Sequence, residues 1–164
     1  MQIRKIEIER LTMISSRPFE AVVAALEAAI GHPDMAEFTK EIADARTFNE
    51  LESAVQKSLG SKALMLFIKF DLGAILRKET GLKTPNIVRL VIGNPLVMKE
   101  MAKHVPDAAS YAPVTVLVDE RPDGVHLSYD KMASLLASYG SPDALAVAQD
   151  LDSKVENLLR TSAA

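Results

Sequence analysis

The sequence predicts an α+β fold. Three observations carry that prediction: five short apolar or alternating runs read as strands, several amphipathic stretches read as helices between them, and Pro122-Asp123-Gly124 joins two of the strands as a hairpin. A late antiparallel hairpin among strands separated by helices points to α+β rather than to a doubly wound α/β sheet.

Ile3 to Ile14 comes first, with Ile6, Ile8, Leu11 and Met13 near period two and one break around Arg10, predicting a strand with a bulge. Ser16 is placed to cap a helix with Pro18 in its first turn; Phe19, Val22, Val23, Leu26 and Ile30 recur at helical spacing until Gly31. Met35 to Ala45 fits a short helix without demanding one. Thr47 and Glu50 form a capping box ahead of the stripe Phe48, Leu51, Val55, Leu59, which Gly60 ends.

Leu64 to Phe70 is a strand apolar on both faces, Leu64, Leu66, Ile68 and Phe70 on one side and Met65 and Phe67 on the other, with Lys69 the exception. Such a strand needs a cover on both sides, either from a second layer or from another subunit. Leu72 to Thr80 reads as a short helix closed by Gly81, Asn86 to Ile92 as a strand, and the segment opened by Pro95 as a helix with Val97, Met98, Met101, Ala102 and Val105 on one stripe. Val114 to Glu120 and Val125 to Tyr129 flank the hairpin turn. Asp130 is placed to cap Lys131 to Tyr139, and an amphipathic helix over residues 143–160 carries Leu145, Ala148, Leu151, Val155, Leu158 and Leu159 toward the body.

The whole chain, residues 1–164, has the length and composition of one packed domain. Its 19 basic and 22 acidic residues leave a net charge of -3, which gives no field to draw a nucleic-acid backbone. Without cysteine, disulfides, thiol catalysis and thiolate metal sites are all excluded. The longest wholly apolar run, Ala63 to Ile68, is far short of the roughly 20 residues that span a bilayer. Met1 to Arg10 alternates charged and apolar residues and reads as part of a strand, so the expected address is cytoplasmic and no membrane partner is expected.

In order, Phe70-Asp71, Gly73, Gly81, Gly93-Asn94-Pro95, Ala112-Pro113-Val114, Asp123-Gly124 and Ser128-Tyr129 make the chain resemble the "domain of unknown function 302" family, best over residues 64–135. The resemblance implies a TATA-box-binding-protein-like α+β fold: a curved, mainly antiparallel sheet of about five strands with helices on one face, and a tendency to dimerise. It implies no reaction, substrate or cofactor. Many members carry a histidine after the aspartate of the first motif, where this chain has Leu72.

The candidate site residues are Lys69, Asp71, Arg89, Gly93, Asn94 and Tyr129. Asn94 caps the helix that Pro95 opens, with Gly93 allowing close approach; that motif serves either as a tight turn or as an anion site at a helix N-terminus. Asp71 holds the matching strand-to-helix junction, as a cap or as a proton-transfer group. Lys69 and Arg89 interrupt apolar strand faces and must be paired or reach solvent, so a cluster with Asp71 is expected, as an ion pair or as a ligand clamp. Tyr129, with Tyr111, Tyr139 and Ser128, is placed to line a pocket, and Ser128 has no histidine or G-x-S-x-G elbow to activate it. His32, His104 and His126 lack metal-ligand spacing, so no metal and no cofactor are expected. Two functions follow: a non-catalytic homodimer that binds a small amphipathic or anionic molecule between sheet and helices, or a small-substrate enzyme using Asp71, with or without His104, as general acid or base.

Overall fold

The computed structural model describes residues 3–83 and 85–164. In chain order the elements are β1 (Arg10–Ser15), α1 (Phe19–Ala29), α2 (Met35–Asp44), α3 (Phe48–Ser58), β2 (Met65–Asp71), α4 (Gly73–Thr80), β3 (Ile87–Gly93), α5 (Pro95–Ala102), a 3-10 turn (Pro106–Ser110), β4 (Val114–Arg121), β5 (Gly124–Asp130), α6 (Met132–Ala137) and α7 (Pro142–Ala163). The strands form one sheet in the order β1-β5-β4-β3-β2, antiparallel throughout. The fold is α+β. Among the described residues no helix is long and apolar enough to cross a membrane.

Alternation along β3, β4 and β5 sends Val88, Leu90 and Ile92, Val116 and Val118, and Leu127 and Tyr129 to one face, where α1 and α7 bury them beneath Leu26, Val155, Leu158 and Leu159. The expected cover on the second side of β2 comes from the chain itself: α2 and α3 supply Phe38 and Val55 against Met65, with Phe67 and Leu96 packed alongside. This second small core lies at the end of β2 where Met65 pairs with Gly93.

The first strand is shorter than the alternation predicts. Residues 10–15 pair with β5 from Arg10 opposite Asp130 to Ser15 opposite Val125. Beyond that the chain has α6 in place of a strand to pair with; Glu9 meets it through Lys131 N–H to Glu9 C=O and Glu9 N–H to Ser134 Oγ. Met1 and Gln2 of the alternating stretch lie outside the described residues. Ser16 does not cap α1, whose N-cap position is Pro18. Met35–Asp44 is helical because Asp34 accepts from Ala36 N and Glu37 N. The box at α3 is made by Glu50 N–H to Thr47 Oγ1, 3.2 Å, and Arg46 N–H to Glu50 Oε2, 2.7 Å.

The bulge lies in β2, not in β1. Leu66 pairs with Ile92, yet Ile68 pairs with Val91, so Phe67 is an extra residue and every side chain after it changes face. Lys69 and Asp71 then stand opposite Leu90 and Val88 on the helix side, while Ile68 and Phe70 stand opposite Val91 and Arg89 on the other. Unbroken alternation would predict the reverse.

α6 is capped from a distance. Asp130 is taken by Arg10, and the first amides of α6, Met132 and Ala133, donate instead to Asp152 of α7 at 2.7 and 3.0 Å.

Candidate ligand site on the open face of the sheet

The six candidate residues do not form one site. β2 and β3 are antiparallel neighbours, so Asp71, opposite Val88, and Asn94, just past Gly93, stand at opposite ends of the pair. The bulge at Phe67 puts Lys69 and Asp71 on one face and Arg89 on the other. The expected cluster of Lys69, Asp71 and Arg89 is absent for that reason. Lys69 Nζ reaches Glu27 of α1 at 2.7 Å instead. Asp71 accepts from Arg77 at 2.6 Å and from the Ala74 amide at 3.0 Å, and the Arg77 hydrogen bond holds its carboxyl below the usual carboxylate value. Gly73 follows because Pro85 O and Ile87 N approach to within 2.8 Å of where a Cβ would stand.

Asn94 is engaged inside the turn: Oδ1 accepts from Leu96 N at 2.9 Å and Nδ2 donates to Ala63 O at 3.2 Å. A Cβ on Gly93 would lie 3.2 Å from Cβ of Pro113, so the Gly-Asn-Pro and Ala-Pro-Val motifs meet here; the peptide before Pro113 is cis. Tyr129 is buried on the helix side, 2% exposed, and donates to Asp152 Oδ1 at 2.6 Å. Burial, and then the Asp152 charge, push its hydroxyl pKa up, so it is not a proton donor to a pocket at neutral pH.

His104 faces Asp143 at 3.9 Å and Asp71 is held by Arg77, so the two groups proposed for acid-base work have separate partners. His126 is bonded through Nε2 to Asp123 at 2.9 Å, which lowers the Asp123 carboxyl pKa; its Nδ1 is buried without a partner among the described residues. His32 Nε2 meets Glu27 O.

The face turned away from α1 and α7 carries Arg89 on β3, one strand in from the β2 edge. Phe70, Arg89, Leu117, Ser128 and Thr12 stand in register across all five strands, and Ile68, Val91 and Thr115 form the next row toward Gly93. Arg89 has its guanidinium carbon 5.3 Å from the Phe70 ring centroid and no hydrogen-bonded or ionic partner among the described residues. Arg10, by contrast, holds Asp130 through two bonds of 2.6 and 2.8 Å, which depress the Asp130 carboxyl pKa. Arg89, Arg10 and Asp130 border a shallow basin of about 320 Å³ whose wall includes Tyr111, Thr115, Leu117 and Ser128. Beside it, between β3, α5 and α7, lies a small apolar cavity of about 70 Å³ lined by Phe67, Gly93, Met98, Met101, Pro113 and Leu151. Val114 borders both.

The model of the family described as Domain of unknown function DUF302 matches residues 38–162. The chain belongs to the DUF302 family. Among solved structures it is similar to the crystal structure of an uncharacterized conserved DUF302 protein from Bacillus stearothermophilus, with a TM-score of 0.63 and 16% identity over 93% of this chain and 97% of that one. At that identity the likeness speaks for the fold alone. No curated protein matches the chain. The DUF302 match reaches beyond residues 64–135 to take in α2, α3 and α7, the helices that build the second core and hold Asp152.

Thr115, Leu117 and Arg10 on the open face, and Phe67, Met98, Met101 and Pro113 at the cavity, are the neighbours of this DUF302 site that sequence reading does not single out. The methionines read as core filler. The exposed phase of β4 was a usable signal, since Thr115 interrupts a run of valines.

Proposed function

We propose that this DUF302 chain is a non-catalytic homodimeric module that binds a small amphipathic anion on the open face of its sheet. The observation that carries the reading is Arg89: a guanidinium seated on Phe70, beside Leu117, with no acidic partner among the described residues. A planar guanidinium on an apolar floor suits a carboxylate or phosphate head bonded in two places, with an apolar body lying against the sheet. Lys69 and Arg10 are already neutralised by Glu27 and Asp130, so the anion's charge is met by Arg89. Asp71, with its pKa depressed by Arg77, is a weaker base than a free carboxylate, which favours binding over acid-base catalysis.

Self-association is the second part of the proposal. Around α4, Leu72, Ile75, Leu76 and Leu82 are exposed, Ile75 by 70% and Leu82 by 62%, which is the kind of apolar surface a partner subunit covers.

A thermal-shift screen of anionic metabolites tests the binding reading. A ligand that binds only the native state raises the melting temperature of the wild type, while Arg89→Met, an exposed substitution, melts at the wild-type temperature and shows no ligand response. A response of equal size in Arg89→Met would contradict the assignment, as would a screen in which no anion stabilises the wild type.

A further inference from the structure

We infer that the apolar cavity beneath Gly93 and Pro113 receives the tail of the ligand whose head Arg89 holds, so that the ligand class is a linear, medium-chain carboxylate or its acyl equivalent. The inference rests on the Arg89 reading and adds to it a direction, a length and a chemistry.

Three placements support it. First, Arg89 and Gly93 lie on the same strand and the same face, four residues apart, which is about 13 Å at the usual rise of a strand. Second, the surface between them is apolar: the row Ile68, Val91, Thr115 separates the Arg89 row from Gly93, with only the threonine hydroxyl polar. Third, past the end of that track, where Phe67 and Pro113 flank Gly93, lies a cavity that extends to Leu151 of α7 and whose one polar neighbour, Asn94, bonds within the protein through both its side-chain oxygen and its nitrogen. A polar ligand end would find little to bond to there, whereas methylene and methyl groups would meet the Phe67 ring, the Met98 and Met101 thioethers and Leu151. The small volume, about 70 Å³, admits the last carbons of an unbranched chain rather than a ring system.

Calorimetric titration of the full chain with butanoate, hexanoate, octanoate and decanoate tests this directly. In the wild type, affinity rises roughly 15-fold for each two methylenes buried and stops rising once the cavity is filled. Ala112→Leu, which projects extra volume into the cavity rim, flattens the dependence on chain length but keeps the weak, Arg89-dependent binding of butanoate. Met98→Ala, in which the cavity is enlarged, moves the plateau to a longer chain and serves where Ala112→Leu fails to fold. Chain length without effect in the wild type, with short carboxylates still bound through Arg89, overturns the tail inference and leaves the head site standing. Tight binding of long chains that survives Arg89→Met overturns the head site and leaves an apolar cavity. Absence of binding at every length overturns both.

Discussion

Tyr129 on β5 gives its hydroxyl proton to Asp152 on α7 across 2.6 Å, and the same carboxylate receives the first two amides of α6. Sheet, long helix and short helix are thus fastened at one buried point. Asp152 is 5% exposed and has no basic partner among the described residues, so its carboxylate is held by three donors. Asp152→Ala strands those donors and is expected to cost about 3 kcal/mol, against about 1.5 kcal/mol for Tyr129→Phe, which leaves both amides bonded. Urea unfolding at unchanged slope measures both; equal losses, or a loss under about 0.5 kcal/mol for Asp152→Ala, would show that the point is not structural.

Glu100 sets an acid-side dependence. Hydrogen bonds from Lys103 and then Lys99 hold its carboxyl at about 2, against an ordinary 4.5. A folded-state value below the unfolded one gives stability that is complete above about 4.5 and is lost as the pH falls toward about 2. The melting-temperature difference between wild type and Glu100→Gln should therefore be constant near neutrality, shrink below pH 4.5 and close near pH 2. A difference independent of pH across that window would refute the pairing.

Lys69 and Asp71 should couple only weakly. Each has its own partner, Glu27 and Arg77, and the Lys69 charge is the smallest of the influences on Asp71, so a double-mutant cycle of Lys69→Met with Asp71→Asn should show less coupling than the Lys69 and Glu27 pair. Lys69→Met with Glu27→Gln should couple by about 0.5 kcal/mol, the usual worth of a part-exposed pair. Coupling between Lys69 and Asp71 as large as that between Lys69 and Glu27 would contradict the separate pairings.

Light scattering checks the proposed assembly. Wild type at micromolar concentration should scatter as a dimer, and Ile75→Lys combined with Leu82→Glu should scatter as a monomer of unchanged helix content. A monomeric wild type would remove the dimer from the proposal; a double variant that stays dimeric would move the interface off α4.

Local signals were legible in the chain and distant ones were not. The capping box at Thr47 and Glu50, the turn at Pro122-Asp123-Gly124 and the stripe of α7 are each written within a few residues, and each element stands where those residues put it. The bulge at Phe67 left no mark, because a run apolar on both sides looks the same with or without an extra residue. One unread residue then moved Lys69 and Asp71 to one face and left Arg89 on the other, which dissolved the expected site. The cap of α6 differs from the local expectation for another reason: Asp130 has the right position in sequence, but Arg10 on the neighbouring strand competes for it, and Asp152, 20 residues from Met132, fills the role. Arg89 itself was legible as a charge in an apolar strand; its floor of Phe70 and Leu117 depended on strand order.

The most direct test is a crystal structure of the wild-type protein soaked with octanoate. The carboxylate should lie within about 3 Å of the Arg89 guanidinium nitrogens, with the chain running past Val91 toward Pro113. A carboxylate bound elsewhere with the open face empty, or a chain directed away from Gly93, would contradict it.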